Sequence, residues 1–254
     1  MQKSDVLIIG GGVIGAACAD ELAGRGVSVT LIDKGKIGHG CSYGNAGWIC
    51  PCHAMPLPMP GALVQAGRWL GDPESPFYIK PRASWELVRW LLAFASNTTE
   101  RHLARAGPVI ADLARHSLGL FAQFAATDGA SADYRSNGLL VVCSSARTLE
   151  GARHEMEIAE RFGGRGQVLD AEGVSDLEPA VRGSVVGGIF YEDEASADPL
   201  RMVQALARRA ESRGACVLPG AEVISLDVDG TRIRSVATTR GTLHADQVVL
   251  AAGS

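Results

Sequence analysis

The chain has 254 residues, of which 46% are hydrophobic and 20% charged, so it is long enough for one large domain or two small ones. Its net charge of −4 comes from interspersed acids and bases, and no basic block points to a nucleic-acid partner. The sequence also has no apolar run of about 18 residues that could span a membrane, and no secretory signal pattern. The spacing of the six cysteines gives no disulfide framework, so we expect reduced thiols and a cytoplasmic protein.

The N-terminal residues predict a strand, a glycine turn, a helix and a second strand. Residues 6–9 are an apolar run without polar alternation, which is typical of a strand buried on both faces of a parallel sheet. Glycines at 10–12 interrupt the run, and residues 14–23 favour a helix with small residues on its packing side. Residues 27–32 then form the second strand. This order is that of a βαβ unit.

The later elements follow from apolar periodicity and turn signals. Residues 34–62 lack periodicity and are rich in Gly, Pro, Cys and Met, which predicts a long functional loop. Asp198 and Pro199 mark a helix start, because Asp caps free N–H groups and Pro fits the first turn. The expected helices are 85–94, 102–126, 147–162 and 199–213, and the expected strands are 139–143, 187–191, 216–218, 223–228, 233–238 and 248–251.

The order of the elements predicts a split domain. Two strands come first, and a long stretch of other material precedes the third, which an insertion into a dinucleotide-binding fold explains. We therefore predict an α/β protein in which a Rossmann-like domain, residues 1–55 and 196–254, is interrupted by an α+β substrate-side domain, residues 56–195. Residues 244–253 read as a buried strand that enters a glycine turn, so we expect the C-terminal part of the first domain to be missing.

The glycine turn fits the pattern G-x-G-x-x-G between a strand and a helix. Gly10 permits the tight turn, Gly12 lets the backbone approach a pyrophosphate, and Gly15 lets the helix pack near the strand. The phosphates would lie at the helix N-terminus, where N–H groups are free. Asp33 ends the second strand, where it can accept hydrogen bonds from ribose hydroxyls, and it argues against a 2′-phosphate. The alternative is a glycine-rich turn followed by a surface Asp, and the pattern alone does not separate FAD from NAD.

A resemblance to a known family separates the two cofactors. The block from Cys41 to Pro51, CSYGNAGWICP, resembles the flavin-contacting loop of the FAD-dependent D-amino-acid dehydrogenase branch of the D-amino-acid oxidase superfamily, which carries a Ser, then Asn-Ala-Gly, then a Pro. Residues 55–69 and the acidic pair 193–194 followed by Asp198 resemble the same branch. The end of the chain, VVLAAGS at 248–254, is similar to the second FAD motif of the family.

The resemblance implies FAD, held non-covalently, as the cofactor. Ser42 and Asn45 would hydrogen-bond to it, Ala46 and Gly47 would let backbone N–H groups approach the flavin ring, and Val223 would touch the adenine through backbone atoms. A plain surface loop and a plain strand residue are the alternatives for these positions. The predicted cofactor-binding residues are Gly10, Gly12, Val13, Ile14, Gly15, Asp33, Lys34, Ser42, Asn45, Ala46, Gly47, Trp48, Ile49, Val223, Ala251, Ala252 and Gly253.

Two further signals are discounted. Cys50, Cys52 and His53 have C-x-C rather than C-x-x-C spacing, with no second ligand pair, so we predict no metal site. His53 is a candidate for the substrate pocket because it follows the flavin loop, although a hydrogen-bonded or surface loop histidine is favoured.

The helix at 85–94 is expected to be a core helix of the inserted domain, with peripheral contact on the inner face of the membrane as the alternative.

The resemblance implies oxidative deamination of a D-amino acid. A hydride would pass from the α carbon to flavin N5, the imine would hydrolyse to a 2-oxo acid and ammonia, and a quinone or other electron carrier would take the electrons. No residue is assigned as catalytic. The alternatives are a D-proline- or hydroxyproline-type secondary-amine dehydrogenase or oxidase of the same superfamily, a truncated FAD-binding subunit that needs a second subunit or a missing C-terminal segment, and an NAD-dependent Rossmann dehydrogenase. The loop at 42–47 and the Ala-x-Gly end at 251–253 argue against NAD.

Overall fold

The computed structural model describes residues 3–69, 82 and 84–253, so Ser254 of the predicted second FAD motif lies outside the described residues. Short 3-10 turns occupy Pro51–His53 and Gly129–Ala132. The α-helices of the described chain are α1 Val13–Gly24, α2 Ala62–Trp69, α3 Trp85–Asn97, α4 Glu100–Asp128, α5 Ala146–Glu160, α6 Ala171–Leu177 and α7 Pro199–Ser212. Its strands are β1 Ser4–Ile9, β2 Val29–Asp33, β3 Trp48–Ile49, β4 Leu139–Cys143, β5 Gln167–Asp170, β6 Gly187–Tyr191, β7 Ala195–Ser196, β8 Cys216–Pro219, β9 Val223–Asp229, β10 Arg232–Thr238, β11 Gly241–Leu243 and β12 Ala245–Leu250.

The chain divides into two units. The first unit comprises Met1–Ile49, Gln123–Arg135 and Ser196–Ser254, and the second comprises Cys50–Ala122 and Ser136–Ala195. These bounds differ from the sequence-based domains in two places, because residues 50–55 group with the second unit and residues 123–135 with the first. The roles of the two units, FAD binding and substrate side, stay predictions.

The first unit is built on a parallel sheet with the strand order β12-β1-β2-β8. On β1, Ile9 lies beside Leu250 of β12 on one side and Ile32 of β2 on the other. Strand β8, which follows the second unit in the chain, pairs in parallel with β2. The predicted α/β class with a parallel sheet is therefore confirmed.

Strand β1 is apolar throughout because the sheet is covered on both faces. Val6 and Ile8 pack with small residues of α1 and α7, whereas Leu7 and Ile9 pack with Val236 of β10 and other residues of the β9–β11 antiparallel sheet. Complete burial of a Leu or Ile side chain contributes about 1.5–3 kcal/mol. The run at 6–9 therefore supplies apolar contacts to two separate cores.

The second unit contains an antiparallel sheet with the order β4-β6-β5. Ile189 and Tyr191 of β6 pack with Ala159 and other apolar residues of α5. Strand β5 and helix α6 are elements that the sequence analysis did not predict. They are short, and Asp170 joins them, because its carboxylate accepts the Gly173 N–H at 2.9 Å and caps α6.

Helix α3 is not a core helix within the described chain, which corrects the expectation for residues 85–94. None of its residues is buried, and Trp85 is 76% exposed. The helix begins normally, with the Ser84 hydroxyl accepting the Leu87 N–H at 3.4 Å. No helix of the described ranges is both long enough and apolar enough to cross a membrane.

A buried carboxylate joins α1 to α7 in the first unit. Asp20 is only 3% exposed, and it receives Arg213 Nη1 at 2.8 Å and Arg209 Nε at 3.1 Å. Arg209 also donates to Asp128 at 3.2 Å. The Thr127 hydroxyl, together with Arg209, holds the pKa of Asp128 below its usual value, and the bond to Asp20 raises the pKa of Arg209. These interactions fix the two helices that cover one face of the parallel sheet.

We expect Asp20→Asn to lower the free energy of unfolding by about 3 kcal/mol. The amide keeps only one acceptor oxygen and removes the buried negative charge that compensates the two arginines, and their partial exposure keeps the cost near the lower end for broken buried pairs. Urea denaturation followed by circular dichroism measures the change. Asp246→Asn is the matched control, since its pair with Lys3 is exposed and its loss should cost less than about 1 kcal/mol. Equal effects of the two variants would contradict the role given to Asp20.

Candidate functional site

The glycine turn has no room for side chains at two of its positions. Gly10 has φ +114°, and a Cβ atom there would lie 2.3 Å from the carbonyl oxygen of Ala251. A Cβ atom on Gly15 would lie 1.8 Å from the carbonyl oxygen of Gly10. The turn therefore packs directly against α1 on one side and against the end of β12 on the other, which only glycine permits.

The N-terminus of α1 keeps free hydrogen-bond donors. Gly12 is the N-cap residue and has no side chain to cap the helix. The Val13 N–H donates to the buried Ser42 Oγ at 3.0 Å, but within the described part of the chain the N–H groups of Gly12 and Ile14 donate to no acceptor. Free N–H groups and the helix dipole together favour an anion such as a pyrophosphate.

Asp33 is tied to the turn rather than standing free at the end of β2. Its Oδ2 accepts the Gly11 N–H at 2.7 Å, and its Oδ1 accepts the Gly35 N–H at 2.7 Å. These bonds use two of the roughly four acceptor sites of a carboxylate, so capacity for a ribose hydroxyl is left. Lys34 next to it is exposed. The sequence did not predict that Asp33 would hold the turn in shape, because its two bonds go to backbone N–H groups, which every residue except proline has.

The loop at 42–47 is braced by its own side chains. Asn45 Oδ1 accepts the Gly47 N–H at 2.8 Å, and Asn45 Nδ2 donates to the Ser42 carbonyl at 3.2 Å. Gly47 has φ +70°, and a Cβ atom there would lie 2.0 Å from the Ala197 carbonyl oxygen. Close packing against the backbone of Ala197 is therefore enough to explain why this position is glycine. Contacts of Ser42, Asn45, Ala46 and Gly47 with the cofactor stay predictions.

The second predicted motif meets the glycine turn. The Ala251 N–H donates to the Ile9 carbonyl at 2.8 Å, and the Ala251 carbonyl fills the space beside Gly10. Both motifs therefore lie at the carboxyl ends of adjacent parallel strands, where ligands of open α/β sheets bind. Ala252 and Gly253 follow as exposed residues.

No hydrogen bond of the described chain joins the remaining predicted residues to the turn. Val223 begins β9, lies opposite Thr238 of β10, and packs half-buried against the core cluster that contains Leu7. Trp48 is exposed and Ile49 is half-buried, and both form β3. Their contacts with the cofactor stay predictions.

A separate polar cluster surrounds His53 in the second unit. Glu194 is fully buried, and its Oε1 accepts the Cys52 N–H at 2.8 Å and lies 3.6 Å from His53 Nδ1. Burial, followed by the hydrogen bond and the charge of Glu194, raises the pKa of Cys50 to about 12. Burial also raises the pKa of Cys52 to about 11, although a backbone hydrogen bond with Arg165 acts to lower it. Burial also acts to raise the pKa of Glu194, but hydrogen bonds from His53, Cys50 and Cys52 outweigh it and hold the pKa below its usual value.

Sequence reasoning did not place Glu194 beside His53. The prediction of no metal site rested on the C-x-C spacing and on the absence of a second ligand pair. The structure adds a single carboxylate, that of Glu194, to the cluster, and the prediction stays untested. The sequence offered one hint of this contact, the acidic pair at 193–194. That pair lies 142 positions after Cys52, so no local pattern linked the two. The place of His53 in a substrate pocket stays a prediction.

Comparisons with known proteins extend over nearly the whole chain. The family model described as FAD dependent oxidoreductase (DAO) matches residues 5–254. The chain is 34% identical to a D-amino acid dehydrogenase of Cereibacter sphaeroides over 98% of this chain and 58% of that protein. It is 32% identical to a D-amino acid dehydrogenase of Sinorhizobium medicae over 98% of this chain and 61% of that protein.

Similarity to solved structures supports the same fold. The crystal structure of glycine oxidase from Bacillus cereus matches with a TM-score of 0.72 and 23% identity, over 99% of this chain and 56% of that one. The chain thus spans about three fifths of the length of the curated relatives that it matches. With a family model matching residues 5–254, the chain belongs to the DAO family, whose members are FAD-dependent oxidoreductases.

Proposed function

We propose that the first unit binds FAD with its pyrophosphate at the N-terminus of α1, and that the protein oxidises a D-amino acid. The observation that carries the proposal is the meeting of the glycine turn with Ala251 at the carboxyl ends of β1 and β12, beside the free N–H groups of Gly12 and Ile14. When bound, FAD supplies a hydride acceptor for oxidation at the carbon that bears the amine.

The residues of the turn fit the two polar parts of the dinucleotide. The N–H groups of Gly12 and Ile14 bind phosphate oxygens, and the positive end of the α1 dipole stabilises their charge. The free acceptor sites of Asp33 bind ribose hydroxyls, while its two backbone bonds hold the turn in shape for this contact. Ser42 fixes the approach of the loop by accepting the Val13 N–H.

The substrate class rests on the relatives. Those with 29–34% identity are named D-amino acid dehydrogenases, which favours a D-amino acid that becomes a 2-oxo acid and ammonia once water hydrolyses its imine. The word dehydrogenase in these names favours a quinone or another carrier as the electron acceptor. Alignment of the α carbon and exclusion of water from the site supply much of the rate in such a reaction.

We expect Gly12→Ala to weaken FAD binding by at least about 10-fold, which is about 1.4 kcal/mol, because the new methyl group occupies the closest approach of the pyrophosphate. The fold should survive, because Gly12 has φ −77° and a Cβ atom there meets, within the described chain, only Ser42 Oγ at 3.3 Å, which a shift of a few tenths of an ångström by that hydroxyl relieves. Titration of the apoprotein with FAD, followed by flavin fluorescence, measures the affinity.

Gly151→Ala is the matched control for this substitution. Gly151 lies in α5, where an added Cβ atom meets nothing within 4 Å, so FAD affinity should be unchanged. Unaltered FAD affinity in Gly12→Ala, with a normal thermal midpoint, would contradict the placement of the pyrophosphate.

We expect the visible flavin bands of the FAD-loaded chain to bleach on anaerobic addition of D-amino acids, because the substrate reduces the cofactor. L-amino acids with the same side chains are the matched control and should leave the bands unchanged. Equal bleaching by both enantiomers, or bleaching by L-amino acids alone, would contradict the proposed substrate class. Flavin bands that no D-amino acid bleaches would contradict the activity of this chain but not its FAD site.

A further inference from the structure

Three potential metal ligands come together in the second unit. One ring nitrogen of His53, the Sγ atom of Cys50 and a carboxylate oxygen of Glu194 all lie within 4.8 Å of one another. None of the predicted cofactor-binding residues belongs to this cluster. The FAD-binding function does not account for it.

The local turn places two of the ligands side by side. The 3-10 turn Pro51–His53 follows Cys50, and the His53 N–H donates to the Cys50 carbonyl at 3.2 Å. Pro51 fixes the backbone φ angle at the start of the turn. This short segment holds the Cys50 Sγ atom and a ring nitrogen of His53 within 4.8 Å of each other.

Glu194 contributes a buried oxygen with no partner. Its side chain is 0% exposed, and within the described chain its Oε2 takes part in no hydrogen bond. The neighbouring Asp193 is paired with Arg165, whose Nε donates to it at 2.9 Å. No Lys or Arg of the described ranges pairs with Glu194, whose ion-pair partner is His53. Buried charges in proteins are paired or coordinate metals, because an isolated one is very costly.

The donor set and its spacing match one metal. Zn²⁺ takes thiolate, imidazole and carboxylate ligands at about 2.0–2.3 Å in tetrahedral geometry, which places the ligand atoms about 3.3–3.8 Å apart. The 3.6 Å from His53 Nδ1 to Glu194 Oε1 already lies in this range, and the Cys50 Sγ atom lies within 4.8 Å of the other two ligand atoms. A mixed S, N and O set favours Zn²⁺ over the hard cations Mg²⁺ and Ca²⁺, which select oxygen ligands alone.

We propose that Cys50, His53 and Glu194 form a three-ligand Zn²⁺ site, with the fourth position open to water. With Cys50 as a thiolate, Glu194 as a carboxylate and His53 neutral, the divalent ion leaves the cluster without net charge. Ligation through both carboxylate oxygens gives Oε2, which has no hydrogen-bond partner in the described chain, a role beside Oε1. The proposal goes beyond the proposed function and is independent of it.

The test is metal binding by the full chain in its FAD-loaded form, after removal of metals with a chelator. Zn²⁺ is titrated in competition with a chromophoric chelator, and Co²⁺ is used separately as a spectroscopic probe. We expect about one Zn²⁺ per chain and, with Co²⁺, a thiolate-to-metal charge-transfer band of a tetrahedral site. Zn²⁺ should also raise the thermal midpoint, because it binds the folded state.

The test uses variants of Cys50 and His53, because replacement of the fully buried Glu194 is expected to destabilise the fold. Cys50→Ser and His53→Gln should each weaken Zn²⁺ binding by at least about 100-fold, since loss of a ligand's outer partner alone costs 10–100-fold. Cys50→Ser should also abolish the charge-transfer band. Cys143→Ser is the matched control, because Cys143 is a buried thiol of β4 in the same unit, outside the cluster, and its loss should leave both readouts unchanged.

Either of two results would overturn the proposal. If the wild-type chain bound Zn²⁺ no more tightly than Cys50→Ser does, Cys50 would not be a metal ligand, and Glu194 would only pair with His53. Zn²⁺ binding that survives both ligand variants but is lost on replacement of the exposed Cys41 and Cys216 would show an adventitious ion on surface thiols. Neither result bears on FAD binding, which the flavin spectrum of the same samples reports separately.

Discussion

The first unit depends on a contact that leaves no space for a side chain at Gly10. The Ala251 carbonyl occupies the position that a Cβ atom on Gly10 would take, and the Gly10 carbonyl does the same for Gly15. The two contacts form a chain from the end of β12, through the turn, to the first turn of α1. Because all three segments approach at backbone distance, the end of one parallel strand and the start of one helix are held in fixed positions. A ligand that meets the free donors of Gly12 and Ile14 therefore meets a site that is already formed.

The polar residues around this turn act first on the backbone. Asp33 bridges Gly11 and Gly35, and Asn45 bridges Ser42 and Gly47 through its two amide atoms. A loop without regular secondary structure must satisfy its N–H groups in this way or through water. The same side chains that fit a cofactor-binding pattern are thus also needed to hold the loop. A substitution of Asn45 that weakens FAD binding would therefore not separate direct contact from loss of loop geometry, whereas Gly12→Ala removes no donor or acceptor of these bonds.

The sequence was most informative where structure is determined locally. The apolar run at 6–9, the glycine spacing and the Asp198-Pro199 helix start are short-range patterns, and the structure confirms the strand, the helix and the cap, with Asp198 accepting the Arg201 N–H at 2.9 Å. Helix α3 was located correctly, but its burial was not, because amphipathic spacing indicates an apolar face without showing what covers it. The unit boundary at residue 50 and the contact of Glu194 with Cys52 depend on chain folding over long separations. No local pattern encodes them.

Asp20 and Glu194, the two buried acids among the described residues, show how differently a carboxylate charge can be compensated. Asp20 has both oxygens bound by the guanidinium groups of Arg209 and Arg213, so its charge is matched by permanent cations. Glu194 is more deeply buried, yet its ion-pair partner in the described chain is a half-exposed imidazole 3.6 Å from Oε1, and Oε2 has no donor. An imidazole carries a positive charge only when it is protonated, and it can meet only one of the two oxygens. The Zn²⁺ that we propose would match the Glu194 charge with a permanent cation, as the two arginines do for Asp20, and the Cys50 thiol would supply a further ligand beside it.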